Sequence, residues 1–292
     1  MKNSVKGIAA LAVVTAIMFY ACSKDKSASS ILPPDQQNLS LYLSDGPSLF
    51  DKVLLDIRSV EVLVDTCAAM PGHHDDYDDD DNHHPDSLNH SCAAWDTLTI
   101  TPGIYDLLQL RNGVDTLLAQ GNIPKGKVRK IRIDLGTNNS LVKDSVSYPL
   151  HLPPGAPSYV LLNLRGDECR EYKPNHLHLW LDFDIARSVI RLNNGQFYLK
   201  PVFHFYTIST TGSIEGQVIP REAMPVISVY NSTDTLYAIP WYEGGGFKVR
   251  GLSDGTYTVF VNASNGYMDT TINNVTVTAG KETKLGTIAL HK

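Results

Sequence analysis

The feature that most restricts this chain is that its apolar residues alternate with polar ones over short stretches and almost never recur at helical spacing. Leu39-Ser40-Leu41-Tyr42-Leu43 sets three leucines on one face of an extended strand, and Asp45-Gly46-Pro47 then turns the chain. Val53, Leu55 and Ile57 resume the pattern. After Ser59 the parity flips to Val60, Val62 and Val64, and a β-bulge near Ser59 would return all six to one face. Further strands are predicted at 98–100, 105–110, 128–135, 177–185 and 197–207, and only 114–120 offers a turn or two of helix. Beyond residue 212 come short alternating runs at 213–219, 226–230, 236–239, 246–250, 256–263, 268–277 and 284–290, separated by Gly, Asn, Pro or Asp. Seven strands in so short a length predict a small sandwich. The expected fold class is therefore all-β, with one β-sandwich domain over 39–207 and a second over 208–292.

The first 38 residues stand outside both. Lys2 and Lys6 precede an apolar run over 8–20 that is short for a membrane span and ends in Phe19-Tyr20-Ala21-Cys22. This is similar to a bacterial lipoprotein signal, and the resemblance implies cleavage after residue 21 and lipidation of Cys22. The partner so implied is a membrane, reached through the lipid anchor. Ser23-Lys24-Asp25-Lys26 has no Asp next to the cysteine, which favours the outer membrane, facing the periplasm or the surface. Residues 22–38 are rich in Ser, Lys, Pro and Gln and read as a flexible tether.

Composition and motifs exclude several functions. The formal charge is −6, so the chain lacks the basic excess that neutralises phosphates, and nucleic acid is not an expected partner. It has no phosphate-cradling Gly-Lys loop, no His-Glu-x-x-His and no Gly-x-Ser-x-Gly, and no enzymatic activity is expected.

Export makes the four cysteines informative. With Cys22 carrying lipid, Cys67 and Cys92 flank one polar insertion and are the expected disulfide, leaving Cys169 as a free thiol or as the true partner of one of them. The insertion is the most unusual chemistry in the chain. Between 73 and 90 it holds seven Asp and five His with no Lys or Arg. His73, His74, Asp76, Asp78, Asp80, His83, His84 and His90 are candidate ligands for a divalent cation, because clustered carboxylates and imidazoles repel until a cation relieves them. The spacing is not that of an EF-hand, since Asp81 stands where Gly is needed and Ser87 where Glu is needed. The competing reading is a solvated anionic loop. No cofactor is otherwise required. His176 and His178 share one strand face and form a weaker metal candidate.

Two family resemblances come from longer motifs. Leu41-Tyr42-Leu43-Ser44-Asp45-Gly46-Pro47, Tyr105-Asp106-Leu107-Leu108-Gln109-Leu110, Ile123-Pro124-Lys125-Gly126, Leu179-Trp180-Leu181-Asp182-Phe183-Asp184 and Tyr198-Leu199-Lys200-Pro201-Val202 occur in order over about 39–205. Together they resemble the bacterial domain of unknown function 4382. Gly216-Gln217-Val218, Gly246-Phe247-Lys248-Val249 and Gly251-Leu252-Ser253-Asp254-Gly255-Thr256-Tyr257 resemble the carboxypeptidase regulatory-like, transthyretin-like domain. That second resemblance implies a Greek-key or prealbumin-like sandwich, and glycan contact by fold analogy alone. Trp241 and Tyr242, before Gly244-Gly245-Gly246, are candidate stacking residues for a sugar, or for a contact between the two domains. The expected function is an exported, lipid-anchored, non-enzymatic binding or scaffold module of the cell envelope, with a glycan or an envelope protein as partner. The alternative is a divalent-metal-binding lipoprotein that works through residues 73–90.

Overall fold

The computed structural model describes residues 32–67 and 92–292, and its strands all lie in one compact unit, Pro34–Lys292. In the first part of that unit these are β1 (Gln36–Asp45), β2 (Lys52–Asp65), β3 (Ala93–Ile100), β4 (Gly103–Asp106), β5 (Thr116–Pro124), β6 (Lys127–Leu135), β7 (Ser140–Lys143), β8 (Val146–His151), β9 (Tyr159–Asn163) and β10 (Arg170–Lys173). They continue with β11 (His176–Phe183), β12 (Val189–Arg191), β13 (Phe197–Leu199) and β14 (Phe203–Tyr206), with one short helix, α1 (Ile185–Ser188), after β11. The second part holds β15 (Gly212–Ile219), β16 (Val226–Tyr230), β17 (Thr235–Ala238), β18 (Gly246–Leu252), β19 (Gly255–Asn262), β20 (Thr270–Val277) and β21 (Glu282–Ala289). The all-β expectation holds. Among the described residues, no helix is long and apolar enough to cross a membrane.

β1 to β14 are hydrogen-bonded into one branched sheet around a single core, with its main path β10-β11-β1-β5-β3-β2-β7-β8-β13-β12 and β4, β6, β9 and β14 paired off it. Its alternation is the one visible in the sequence: Leu39, Leu41 and Leu43 of β1 are fully buried, and each such side chain contributes ~1.5–3 kcal/mol through burial. β1 lies between β5, antiparallel, and β11, parallel. β2 pairs with β3, β4, β6 and β7 along its 14 residues. β3 joins the two halves, pairing Val60 to Leu98 on one side and Thr99 to Gln120 on the other. The bulge predicted near Ser59 is present: the β2–β6 register shifts between Ile57 and Ser59, and Val60, Val62 and Val64 return to the core.

Four predicted elements differ from the sequence reading. Residues 114–120 form no helical turn, because β5 is pinned between β1 and β3 with Leu118 and Ala119 buried. The strand expected at 105–110 stops at Asp106, and a 3-10 turn over Leu107–Leu110 buries Leu107, Leu108 and Leu110 together, which a strand of period two would not do. The strand predicted to reach residue 185 ends at Phe183, where the Asp184 side chain accepts the Arg187 amide and starts α1. Pro201 has no amide for a ladder, so 197–207 splits into β13 and β14.

All seven strands predicted beyond residue 212 are present. They form a three-stranded sheet, β18-β15-β21, and a four-stranded sheet, β17-β16-β19-β20. The two enclose a second core that includes Ile214, Val218, Val229, Tyr257 and Val259. No residue is shared between the first core and the second.

Candidate functional site: a polar joint and an aromatic face

The expected disulfide is formed. Cys67 and Cys92 follow β2 and precede β3, with Asp65 paired to Ala93 just inside them, and the cysteine Cα atoms are 5.3 Å apart. The Thr66 amide and hydroxyl both donate to the Cys92 carbonyl, at 2.9 and 2.8 Å, and close that end of the hairpin. Cys169 is the free cysteine, packed partly buried against the first core. Loss of solvation, with Glu168 nearby, pushes its thiol up to about 12, so it is not a ready nucleophile. Cys22 and the eight candidate metal ligands between His73 and His90 lie outside the described residues.

The structure separates Trp241 from Tyr242. Trp241 is half-buried in a turn closed by its own amide on the Gly246 carbonyl at 2.9 Å, and the Arg111 guanidinium lies 4.6 Å over its ring. Gly245 in this turn has φ +71° and sits against the Val218 carbonyl, where a Cβ would collide. Tyr242 points out, 78% exposed, with the Arg221 guanidinium 4.8 Å from its ring. Trp241 thus takes part in a contact between the two cores, while Tyr242 does not share its surroundings.

That contact is a polar joint built from the segment between the Leu107–Leu110 turn and β5. Asn112 donates through Nδ2 to the Ile239 carbonyl at 2.9 Å. Asp115 Oδ2 accepts Trp180 Nε1 at 2.9 Å and Arg250 Nη1 at 2.6 Å, linking β11 of the first core to β18 of the second. Tyr206 packs against Gly251, whose φ of +77° and lack of a side chain let the ring come close. The sequence reading missed Arg111, Asn112 and Asp115. Their only signal was a polar run ending an apolar one.

The same strands carry an aromatic face. The parallel β1–β11 register sets Tyr42 opposite Trp180 and Ser40 opposite His178, and antiparallel pairing sets Tyr206 of β14 opposite Trp180. Tyr42 and Trp180 stack at 4.6 Å, and Tyr172 of β10 stacks on His178 at 4.9 Å. Burial, then the charges of His176 and Lys173, lower the His178 pKa. His176 turns its Nδ1 to the Pro174 carbonyl. Among the described residues, no three Asp, Glu, His or Cys side chains converge as a metal site.

Buried acids underlie the joint. Burial raises the Asp182 carboxyl to about 6, against the Ser44 hydroxyl that donates to it at 3.1 Å. Asp45 is 6% exposed, and both of its oxygens lack a hydrogen-bond partner. Burial first, then the neighbouring Asp182, hold its carboxyl well above the usual range. Burial also lowers the Arg111 guanidinium, which Asp45 and Asp106 partly offset.

Residues 36–201 match the family described as Domain of unknown function (DUF4382), over the stretch that holds β1 to β13 and the Ser44-Asp45 and Asp182-Phe183-Asp184 motifs. The chain belongs to this family. The joint is thus where the DUF4382 region meets the C-terminal sandwich, with Asp115 and Trp180 on the family side and Arg250 on the other. No curated protein sequence matches the chain. Solved structures with some likeness include the TIE protein of Bacillus anthracis, at 10% identity and a TM-score of 0.23, covering 88% of this chain and 34% of that one. The chain spans about a third of that protein's length. A mutant of the shaft pilin SpaA from Lactobacillus rhamnosus GG is 12% identical with a TM-score of 0.24, covering 87% of this chain and 98% of that one. The minor pilin GBS52 of Streptococcus agalactiae is 13% identical with a TM-score of 0.21, covering 87% and 95%.

Proposed function

We propose that this DUF4382 protein is an exported, lipid-anchored, non-enzymatic binding or scaffold module of the cell envelope. The observation that supports it most is the joint: Arg111, Asn112, Asp115 and Trp180 are committed to holding one core against the other. A thiol pushed up to about 12 supports a module that binds rather than reacts. The anchor rests on Ala21-Cys22 after the apolar run, and acyl chains at ~0.8 kcal/mol per buried methylene make such anchoring stable. The stretch after residue 212 is, on this reading, a carboxypeptidase regulatory-like module. Mass spectrometry of the N-terminal peptide tests the proposal: it predicts a chain that begins at Cys22 and carries fatty acid on it. A mature chain with an unmodified Cys22 overturns it.

A second reading concerns residues 73–90. The Cys67–Cys92 disulfide closes the insertion that holds them, and their seven Asp and five His suit a divalent cation. Calorimetric titration of the intact chain with zinc and with calcium tests it: zinc should bind the more tightly, and equal affinity would count against a His-based site.

A further inference from the structure

The two faces of the C-terminal sandwich differ in kind. The sheet β18-β15-β21 has an outer face of charges, on which Lys248 pairs with Glu215 and Glu282, and Lys284 pairs with the same two carboxylates at 3.6 and 3.3 Å. The strands β16, β17, β19 and β20 of the other sheet contain no Asp, Glu, Lys, Arg or His at all. Their inward residues, such as Val229 and Val259, belong to the core; their outward ones are Val226 and Thr, Ser and Asn with three aromatic rings, Tyr230, Tyr237 and Phe260. Exposed sheet faces are ordinarily kept soluble by charge, and a long uncharged one invites association. The opposite sheet of the same sandwich follows that rule. This one does not.

The face is also shaped. Thr258 stands opposite Tyr230, and its hydroxyl donates to Asn273 Oδ1 at 3.4 Å. At that point the β19–β20 register shifts between Tyr257 and Val259, and Asn274 takes a left-handed φ of +58°. Such a bulge inserts one residue, bends the strand and re-aims its side chains. A shallow, open concavity of about 820 Å³ lies here, lined by Tyr230, Thr258, Asn273, Asn274 and other uncharged residues, a shape suited to an extended chain laid on the surface rather than to a small enclosed ligand. Amides and hydroxyls both donate and accept, as sugar hydroxyls do, and the Tyr230 ring, 38% exposed, offers a flat apolar surface for the C–H face of a pyranose.

We infer that this uncharged face, centred on Tyr230 and Asn273, binds a neutral oligosaccharide. The inference rests on the reading of the chain as a binding module, and it assigns the ligand class to a surface away from Trp241 and Tyr242. No charged side chain lines the concavity; Asp234 and Asp254 act on its Tyr257, but a neutral sugar offers them no opposite charge, so binding should be nearly independent of salt.

The test is calorimetric titration of the full mature chain, in a non-glycosidic detergent, with neutral hexasaccharides of glucose, mannose, xylose and N-acetylglucosamine, and with hexagalacturonate as the acidic control. At least one neutral hexasaccharide should bind, with less than a twofold change in affinity between 0.05 and 0.5 M NaCl. Tyr230→Ala and Asn273→Ala should each weaken it at least tenfold at an unchanged melting temperature. Asn273→Asp, which adds charge without volume, should do the same, and Tyr242→Ala should change nothing. Binding of none of the neutral sugars, preference for hexagalacturonate, or retained affinity in the Tyr230 and Asn273 variants overturns the inference. So does a dimer in the ultracentrifuge that Tyr230→Ala dissolves, because the face would then belong to a second copy. Acylation of Cys22 is read separately, so failure here leaves the anchored module standing.

Discussion

Trp180 Nε1 and Asp115 Oδ2 are 2.9 Å apart, and the same oxygen takes the Arg250 guanidinium at 2.6 Å, so one carboxylate serves both cores. Asp115 and Arg250 are each about a quarter exposed, which screens the pair in part. Asp115→Ala should therefore lower stability by about 1–2 kcal/mol, leaving an indole N–H and a guanidinium without their acceptor. Urea denaturation measures this. Limited proteolysis should also show faster cleavage within residues 207–211, between the cores, and an unchanged midpoint with unchanged cleavage would refute the role given to Asp115.

The buried acids give a pH dependence with a definite sign. Asp182 is raised to about 6 in the folded chain, against ~3.9 in an unfolded one. The folded state then binds the proton more tightly, so this contribution is present at low pH and is lost as pH rises from about 4 to about 6. Asp45, raised by its own burial, acts in the same direction. Asp182→Asn should flatten the fall by about 1–2 kcal/mol. Thermal melts at intervals from pH 4 to 7.5 would show it, and a stability that rises across this window in the wild type would contradict the assignment.

Reduction of the Cys67–Cys92 disulfide, which spans 25 positions, should cost about 3 kcal/mol in the chain-entropy model. The double variant Cys67→Ser/Cys92→Ser should match the reduced wild type in urea. Peptide mapping without reduction should recover this crosslink alone, and Cys169 in any crosslink would refute the pairing.

Much of this architecture was readable from residue patterns, and the reasons are specific. Leu39, Leu41 and Leu43 have one solution, a strand with one buried face, and the parity change after Ser59 required the bulge that β2 contains. The seven C-terminal strands were visible because Gly, Asn and Pro punctuate them. Residues 114–120 were misread because their local pattern is neutral, and pairing with β1 and β3 decided it. Strands β7 to β10 were missed for a related reason: β10 is exposed throughout and has no apolar face to announce it. The joint was illegible for a third. Asp115, Trp180 and Arg250 lie far apart in sequence, and only the fold brings a carboxylate, an indole and a guanidinium to one point. The uncharged sheet could have been found by asking which strands lack charge.

For residues 73–90, His-rich ligation should favour zinc, nickel or copper over calcium. Affinity should fall below about pH 6, as imidazoles near ~6.5 take protons and lose their lone pairs. Deleting 71–90 while keeping Cys67 and Cys92 should abolish zinc binding in calorimetry without shifting the melting temperature by more than a few degrees. Zinc affinity that survives the deletion would move attention to His176 and His178, and equal affinity for zinc and calcium in the intact protein would rule out a His-based site.

The anchored module is tested most directly by where the protein goes when Cys22 is removed. The measurement is fractionation of cells that express the full chain, with carbonate-washed membranes compared with the soluble pool for the wild type and for Cys22→Ala. The account predicts that the wild type sediments with the membranes and takes up labelled palmitate, while Cys22→Ala takes up none and is either released or retained as an uncleaved precursor with its leader attached. A wild type found in the soluble pool, or a Cys22→Ala chain that is cleaved and still fractionates with the membranes, would contradict it.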